Sequence, residues 1–329
     1  MTGSAMTGSA VIDYRAAVAD YLTTRRAMGY KLGYQGRMLE QFVAYLDAAG
    51  AEHLTIRHAL DWAKQPATGA RAWWAVRLST VRAFARYLSA LDPVTEIPPA
   101  GLIPAPSHRV VPYIYTADDI ARLQAAAGWL PTAHRADTYQ TLIGLVAVTG
   151  MREGEVVRLD HDDVDFAQGL LTIRDSKFGK SRQIPVHPST VAALAGYTER
   201  RDARRPRPDG RANRHTPSRA SFFTSTTGTR LLRDNVSTVF TCLVRDAGLV
   251  GHPRRPRLHD LRHSFAVNTL IRWYRQGLDV EQRLPLLSTY LGHIAPKSTY
   301  WYLTAVPELL ELVANRLDAI TDAIIEGRP

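Results

Sequence analysis

Between Arg257 and Tyr302 the chain carries His259-Asp-Leu-Arg262, Leu291-Gly-His293 and Ser298-Thr-Tyr-Trp-Tyr302. Two imidazoles, a guanidinium and a phenol at close spacing are what a metal-free phosphoryl-transfer centre uses. The phenol supplies a nucleophilic oxygen, and the cations neutralise charge that grows on phosphorus-bound oxygens. His259 and Arg262 lie in the apolar-periodic stretch Leu258 to Leu270, so both project from one face of a helix and can present a cation pair to a phosphate. A lone His-x-x-Arg also arises by chance as a partly buried histidine beside an exposed arginine, so its weight depends on its company.

That company lies upstream. In Thr149-Gly-Met-Arg152-Glu-Gly-Glu155, an apolar helix ends at Gly150 and another opens, placing Arg152 at a helix start. Free N–H groups and the helix dipole favour anions there. Leu170–Arg174 and Arg182–Val186 read as short strands flanking Asp175-Ser-Lys177-Phe-Gly-Lys180-Ser, a hairpin whose tip projects Lys177. A mobile lysine on such a turn can reach a leaving oxygen; Lys180 is its nearest rival.

Arg152, Lys177, His259, Arg262, His293 and Tyr302, taken in order, resemble the signature of the tyrosine recombinases, the phage integrase family, with the tyrosine nine positions after the last histidine. The resemblance runs from about residue 11 to about residue 318. It implies a mainly α fold with a small antiparallel β-hairpin or sheet. It also implies a two-domain DNA clamp, with an N-terminal helical core-binding (SAM-like) domain and a C-terminal catalytic domain. Tyr302 is then the nucleophile that links to a 3′ phosphate and releases a 5′ hydroxyl, with Tyr300 as the rival. Arg152 and Arg262 grip the phosphate, Lys177 is the general acid, and His259 and His293 share proton and phosphate duties that sequence does not separate. Glu155 braces the site as a supporting residue. No cofactor or metal is implied. The partners are double-stranded DNA and further recombinase protomers, identical or not, in a tetramer. The long stretch from Trp273 to His293, with Trp301 beside the nucleophile, is most similar to transposon-borne recombinases. The implied activity is site-specific cleavage and rejoining for integration, excision or transposition of a mobile element. A noncatalytic DNA-binding accessory protein of the same fold, or a type IB topoisomerase-like activity, is the alternative.

Composition agrees without deciding. The chain has 329 residues, with 41 Lys+Arg against 31 Asp+Glu, a net charge of +10 that suits a polyanionic partner. The single cysteine, Cys242, excludes an intrachain disulfide and a thiolate zinc cluster, and fits a reducing cytosol. With no membrane-length apolar run and no secretion signal, a soluble cytoplasmic protein is expected, with no membrane partner.

Around these residues the chain divides into four segments. Residues 1–10 hold a Met-Thr-Gly-Ser-Ala duplication whose composition predicts disorder. Residues 11–92 read as four helices, the core-binding domain, with Arg25, Arg26, Lys31, Arg37, Arg71, Arg77, Arg82 and Arg86 interleaved with Tyr30, Tyr34, Trp73 and Trp74. Residues 93–112 are proline-rich and read as an extended linker. Residues 113–329 form the catalytic domain, opened by Thr116 as N-cap with Asp119 three residues on. The arginine-rich tract from Arg200 to Arg219 reads as a disordered loop. A closing amphipathic helix from Pro307 to Ile320 packs at home or, as the family resemblance implies, on a neighbouring protomer.

Overall fold

The structure is a computed structural model that describes residues 12–65, 67–104, 111–175, 179, 181–204, 221–293, 297–304, 309–311 and 314. The chain divides into two compact units, Met1–Arg109 and Val110–Pro329.

The first unit is all helical: α1 (Tyr14–Ala27), α2 (Gly33–Ala48), α3 (Ile56–Ala63) and α4 (Arg71–Leu88). Asp13 caps α1 by accepting from the Arg15 and Ala16 N–H groups, and Thr55 caps α3 through His58 N–H. Leu39, Phe42, Leu46, Leu78, Phe84 and Leu88 recur at helical spacing, and all are fully buried in one core. Two of the arginines that the sequence interleaves with aromatics are engaged within the unit. Arg77 is buried, donates to the Trp62 carbonyl at 2.8 Å and lies over the Trp62 ring. Arg82 donates to the carbonyls of Pro98 and Pro99 at 2.7 and 2.9 Å. The proline-rich stretch is accordingly no free linker as far as residue 104. Glu96 bonds Leu54 and Ile56, and Ile103 packs on the first core. Proline removes donors from a segment but leaves its carbonyls as acceptors, which Arg82 takes. Arg26, Lys31, Arg37, Arg71 and Arg86 remain exposed.

The second unit runs α5 (Ala117–Gly128), α6 (Ala133–Thr149), α7 (Glu153–Arg158), β1 (Val164–Asp165), β2 (Leu170–Ile173), β3 (Arg182–Pro185), α8 (Pro188–Ala203), α9 (Arg233–Asp246), α10 (Leu258–Arg275), α11 (Val280–Leu291) and α12 (Lys297–Tyr300). A 3-10 turn at Trp301–Thr304 follows. Thr116 and Asp119 form the expected capping box at α5. The strands make one antiparallel sheet in the order β1-β2-β3, with Leu171 opposite Ile184 and both buried. One core gathers α5, α6, the sheet and α9; a second joins α10 and α11 to Tyr302 and Leu309.

The start of the arginine-rich tract is helical rather than a loop. Arg200 and Arg201 belong to α8 and Arg204 caps it. Arg200 and Arg204 pair with Asp137, while Arg201 is buried and donates to the Phe222 carbonyl at 2.6 Å. Helical spacing from Leu194 through Tyr197 to Arg201 brings all three onto the buried face. Residues 205–220 lie outside the described residues, as do Lys177, Lys180, the segment 1–11 and most of the closing helix. Of that helix, Leu309 is described and is buried in the core that contains Tyr302. No helix among the described residues is long and apolar enough to cross a membrane. None of their His, Cys, Asp or Glu side chains cluster as a metal site.

Candidate active site

The site forms around the carboxyl end of α11. That helix stops at Gly292, whose φ of +67° is a left-handed conformation that exposes the last carbonyls instead of continuing the helix. Three guanidiniums meet three consecutive carbonyls there. Arg182 donates to Tyr290 O at 2.8 Å, Arg262 to Leu291 O at 2.7 Å and Arg152 to Gly292 O at 2.8 Å. A helix C-terminus carries partial negative charge, so cations gather there favourably.

Arg262 is 2 % exposed and also donates to Gly150 O at 2.8 Å. Gly150 ends α6 at φ +61°, and a Cβ there would lie 2.6 Å from the Phe265 ring. The two glycine helix ends thus clamp one buried arginine. Burial, then repulsion from Arg152, lowers its pKa to about 10, which leaves it cationic at neutral pH.

Arg152 stands at the start of α7, as its sequence context predicts. Glu155, whose side chain is 1 % exposed, accepts from the Arg152 backbone N–H at 3.0 Å and from its guanidinium at 2.7 Å. Glu155 also accepts from Arg182 at 3.1 and 2.9 Å. Behind them, Glu153 ties α7 to α9 through Arg233 and Ser237.

The imidazoles take different positions. His293 follows α11 directly, and its Nδ1 meets the buried Thr299 hydroxyl at 2.7 Å, which fixes the ring orientation. His259 sits in the first turn of α10, which is secured by a capping box between Arg257 and buried Asp260. Its pKa is lowered by partial burial and by Arg262; because solvent reaches this exposed ring, the like-charge repulsion is the more durable cause. His263, one turn further on, meets the Tyr302 hydroxyl at 3.2 Å through Nδ1. Burial pushes His263 and His293 down to about 3; His259 and Arg262 follow as causes for the first, and Arg262 and Arg152 for the second. Both rings are therefore neutral at physiological pH, and His263 can accept from the phenol. Tyr302 is 2 % exposed and stacks beside His293, whereas Tyr300 is 47 % exposed on the preceding turn.

Arg152, Glu155, Arg262, His293 and Tyr302 are thus brought to one place, with His259 beside them on α10 and Lys177 outside the described residues. Three contributors escaped sequence reasoning: Arg182, His263 and Thr299. His263 had a signal, since it lies one helical turn after His259 and immediately after Arg262. Arg182 had none beyond its place at the start of a strand.

The arrangement has relatives. The pattern of the phage integrase family matches residues 115–308. A Sinorhizobium fredii protein named integrase/recombinase y4rB is 44% identical over 315 residues, covering 93% of this chain and 97% of that protein. Tyrosine recombinase XerC of Azotobacter vinelandii is 32% identical over 229 residues, covering 69% of this chain and 68% of its own. Among solved structures, the Tn1549 transposon integrase in complex with transposon right-end DNA is similar with a TM-score of 0.64 at 15% identity. That match covers 94% of this chain and 100% of the other. A lambda integrase tetramer bound to a Holliday junction gives 0.60 at 19%, covering 89% and 78%.

Proposed function

The chain belongs to the phage integrase family, and from that premise we propose that it cleaves and rejoins DNA at specific sites through a 3′-phosphotyrosyl intermediate made by Tyr302. The observation that carries this reading is the gathering of Arg152, Arg262, His293 and the Tyr302 hydroxyl around the end of α11. In the reaction, the Tyr302 oxygen bonds to phosphorus and the bond from phosphorus to the 5′ oxygen breaks. The phenol proton passes to an imidazole, with His263 in hydrogen-bond contact and His259 its neighbour. The departing 5′ oxygen takes a proton from Lys177, the role the family resemblance gives it. Arg152 and Arg262 stabilise the charge that grows on the nonbridging oxygens, and His293 adds a hydrogen bond from Nε2. A 5′ hydroxyl from another strand reverses the step, so the phosphodiester energy is retained and no nucleotide is consumed. Double-stranded DNA is the partner, and rejoining between two duplexes calls for four protomers.

The long region between α10 and His293 and the similarity to a transposon integrase support service to a mobile element. The test is covalent capture from a library of nicked genomic fragments that includes the DNA flanking the gene. Wild-type protein should retain fragments through denaturing conditions in EDTA without ATP, and Tyr300→Phe should do the same. Tyr302→Phe should retain none while still binding DNA within a few-fold. Capture by the Tyr302→Phe variant, or an absolute need for a divalent metal, would sink this reading.

A further inference from the structure

We propose that Arg182, at the start of β3, is a positioning residue that sets Arg152 through Glu155 and fixes the base of the hairpin carrying Lys177. The inference rests on the strand-transfer reading above and adds a residue to it. All three guanidine nitrogens of Arg182 have partners: Nε bonds Tyr290 O at 2.8 Å, and Nη1 and Nη2 bond the two Glu155 oxygens at 3.1 and 2.9 Å. The side chain is 12 % exposed and Glu155 1 %, so this fork-to-fork pair is held away from screening solvent. Arg182 faces Ile173 across the strand pair, at the last described rung before the turn.

The consequence is geometric. Glu155 accepts from Arg152 at both its backbone and its guanidinium, so whatever fixes the carboxylate fixes the direction in which Arg152 points. Arg182 grips the same two carboxylate oxygens, and its third bond reaches the helix end that precedes His293. Three parts of the reacting centre therefore share one anchor: the phosphate-gripping Arg152, the His293 that follows α11, and the strand that returns from Lys177. Gly292 is shaped to the same purpose, since a Cβ there would come 2.8 Å from Arg182 Nη1. No contact with DNA is required of Arg182, which acts through Glu155 and the α11 terminus.

The test uses full-length protein and a suicide duplex built from a fragment that the wild-type protein captures covalently. Single-turnover adduct formation at saturating protein is measured for wild type, Arg182→Met, Glu155→Gln and the double variant, alongside DNA binding and thermal stability. Arg182→Met should slow the chemical step roughly 10–100-fold, the scale of removing an outer support, while binding stays within about threefold. In the Glu155→Gln background the same change should add little, because both variants break one linkage. Arg182→Lys keeps the charge but cannot span three acceptors, and should remain slow; it also carries the test should the Met variant fail to fold. Additive losses, full rescue by lysine, an unchanged rate, or parallel loss of binding and stability would each overturn the proposal. Should the wild type capture no DNA, the strand-transfer reading falls, and this proposal with it; a wild type that cleaves beside an equally fast Arg182→Met removes this proposal alone.

Discussion

Arg262 has two jobs that a single ammonium cannot do together. Its guanidinium bridges Gly150 O and Leu291 O, and the proposed strand transfer asks it to hold a phosphate oxygen as well. A planar fork supplies donors for the carbonyls and leaves others for a nonbridging oxygen, whereas lysine offers one compact centre. Arg262→Lys should cost on the order of 2–4 kcal/mol of transition-state stabilisation, the range for one preorganised donor. Single-turnover cleavage on a captured duplex reads this directly, and a loss under twofold would show that charge alone suffices. Sequence made Arg262, Arg152 and Tyr302 legible because their spacing repeats a family pattern. It left Arg182 and Thr299 dark, and His263 marked only by its place one turn after His259, because each makes its contact with a residue far along the chain or across a turn. Arg182 meets Tyr290 only after β3 and α11 have packed, and no local pattern marks such a meeting.

Among the elements, the helices were the readable part. The four helices expected within residues 11–92 are α1 to α4, because each presents one apolar stripe to one core. The proline-rich stretch lacks periodicity, yet as far as residue 104 it is held in place because Arg82 donates to the Pro98 and Pro99 carbonyls and the Glu96 N–H donates to Leu54 O. At the start of the arginine-rich tract, Arg200 to Arg204, a charged composition hid the end of a helix whose Tyr197 and Arg201 are buried. The helix ends carry the most consequence for the site. Replacing Gly150 by alanine forces a side chain into a left-handed conformation, costing about 1–2 kcal/mol, and sets a methyl against Phe265. Gly150→Ala should therefore lower stability by at least that amount and, by moving the carbonyl that Arg262 holds, slow cleavage as well. Denaturant unfolding and adduct formation measured on the same preparation check both; unchanged cleavage would separate the α6 terminus from the chemistry.

For the molecule as a whole, the site trades acid tolerance for neutral imidazoles. His263 and His293 have folded pKa values of about 3, against about 6.5 for an unfolded histidine. Between those values the unfolded chain binds protons that the native site refuses, so stability is full above about pH 6.5 and falls as pH drops toward 3. Each ring contributes at most about 1.4 kcal/mol per pH unit in that window, and less where water screens it. Thermal melts of the free protein from pH 7.5 to 5 should show the loss, and His263→Gln with His293→Gln should flatten the slope. An equal slope in that variant would place the proton uptake elsewhere. Bound phosphate should act oppositely, since it neutralises the arginines whose charge helps depress both rings.

The three arginines at the end of α11 all bind main-chain oxygens, and main-chain oxygens are indifferent to which amino acids bear them. Positions 290 and 291 can drift in sequence without removing a single acceptor, so substitution is a weak way to damage this part of the enzyme. Frame is another matter. Deleting one residue within α11 would turn its terminus by about 100° and withdraw it by about 1.5 Å, presenting the wrong carbonyls to all three guanidiniums at once. Descendants of this chain should thus keep the length of α11 and the apolar face it packs on α10 while its exposed positions vary, and a length change there should mark a copy that has lost its activity.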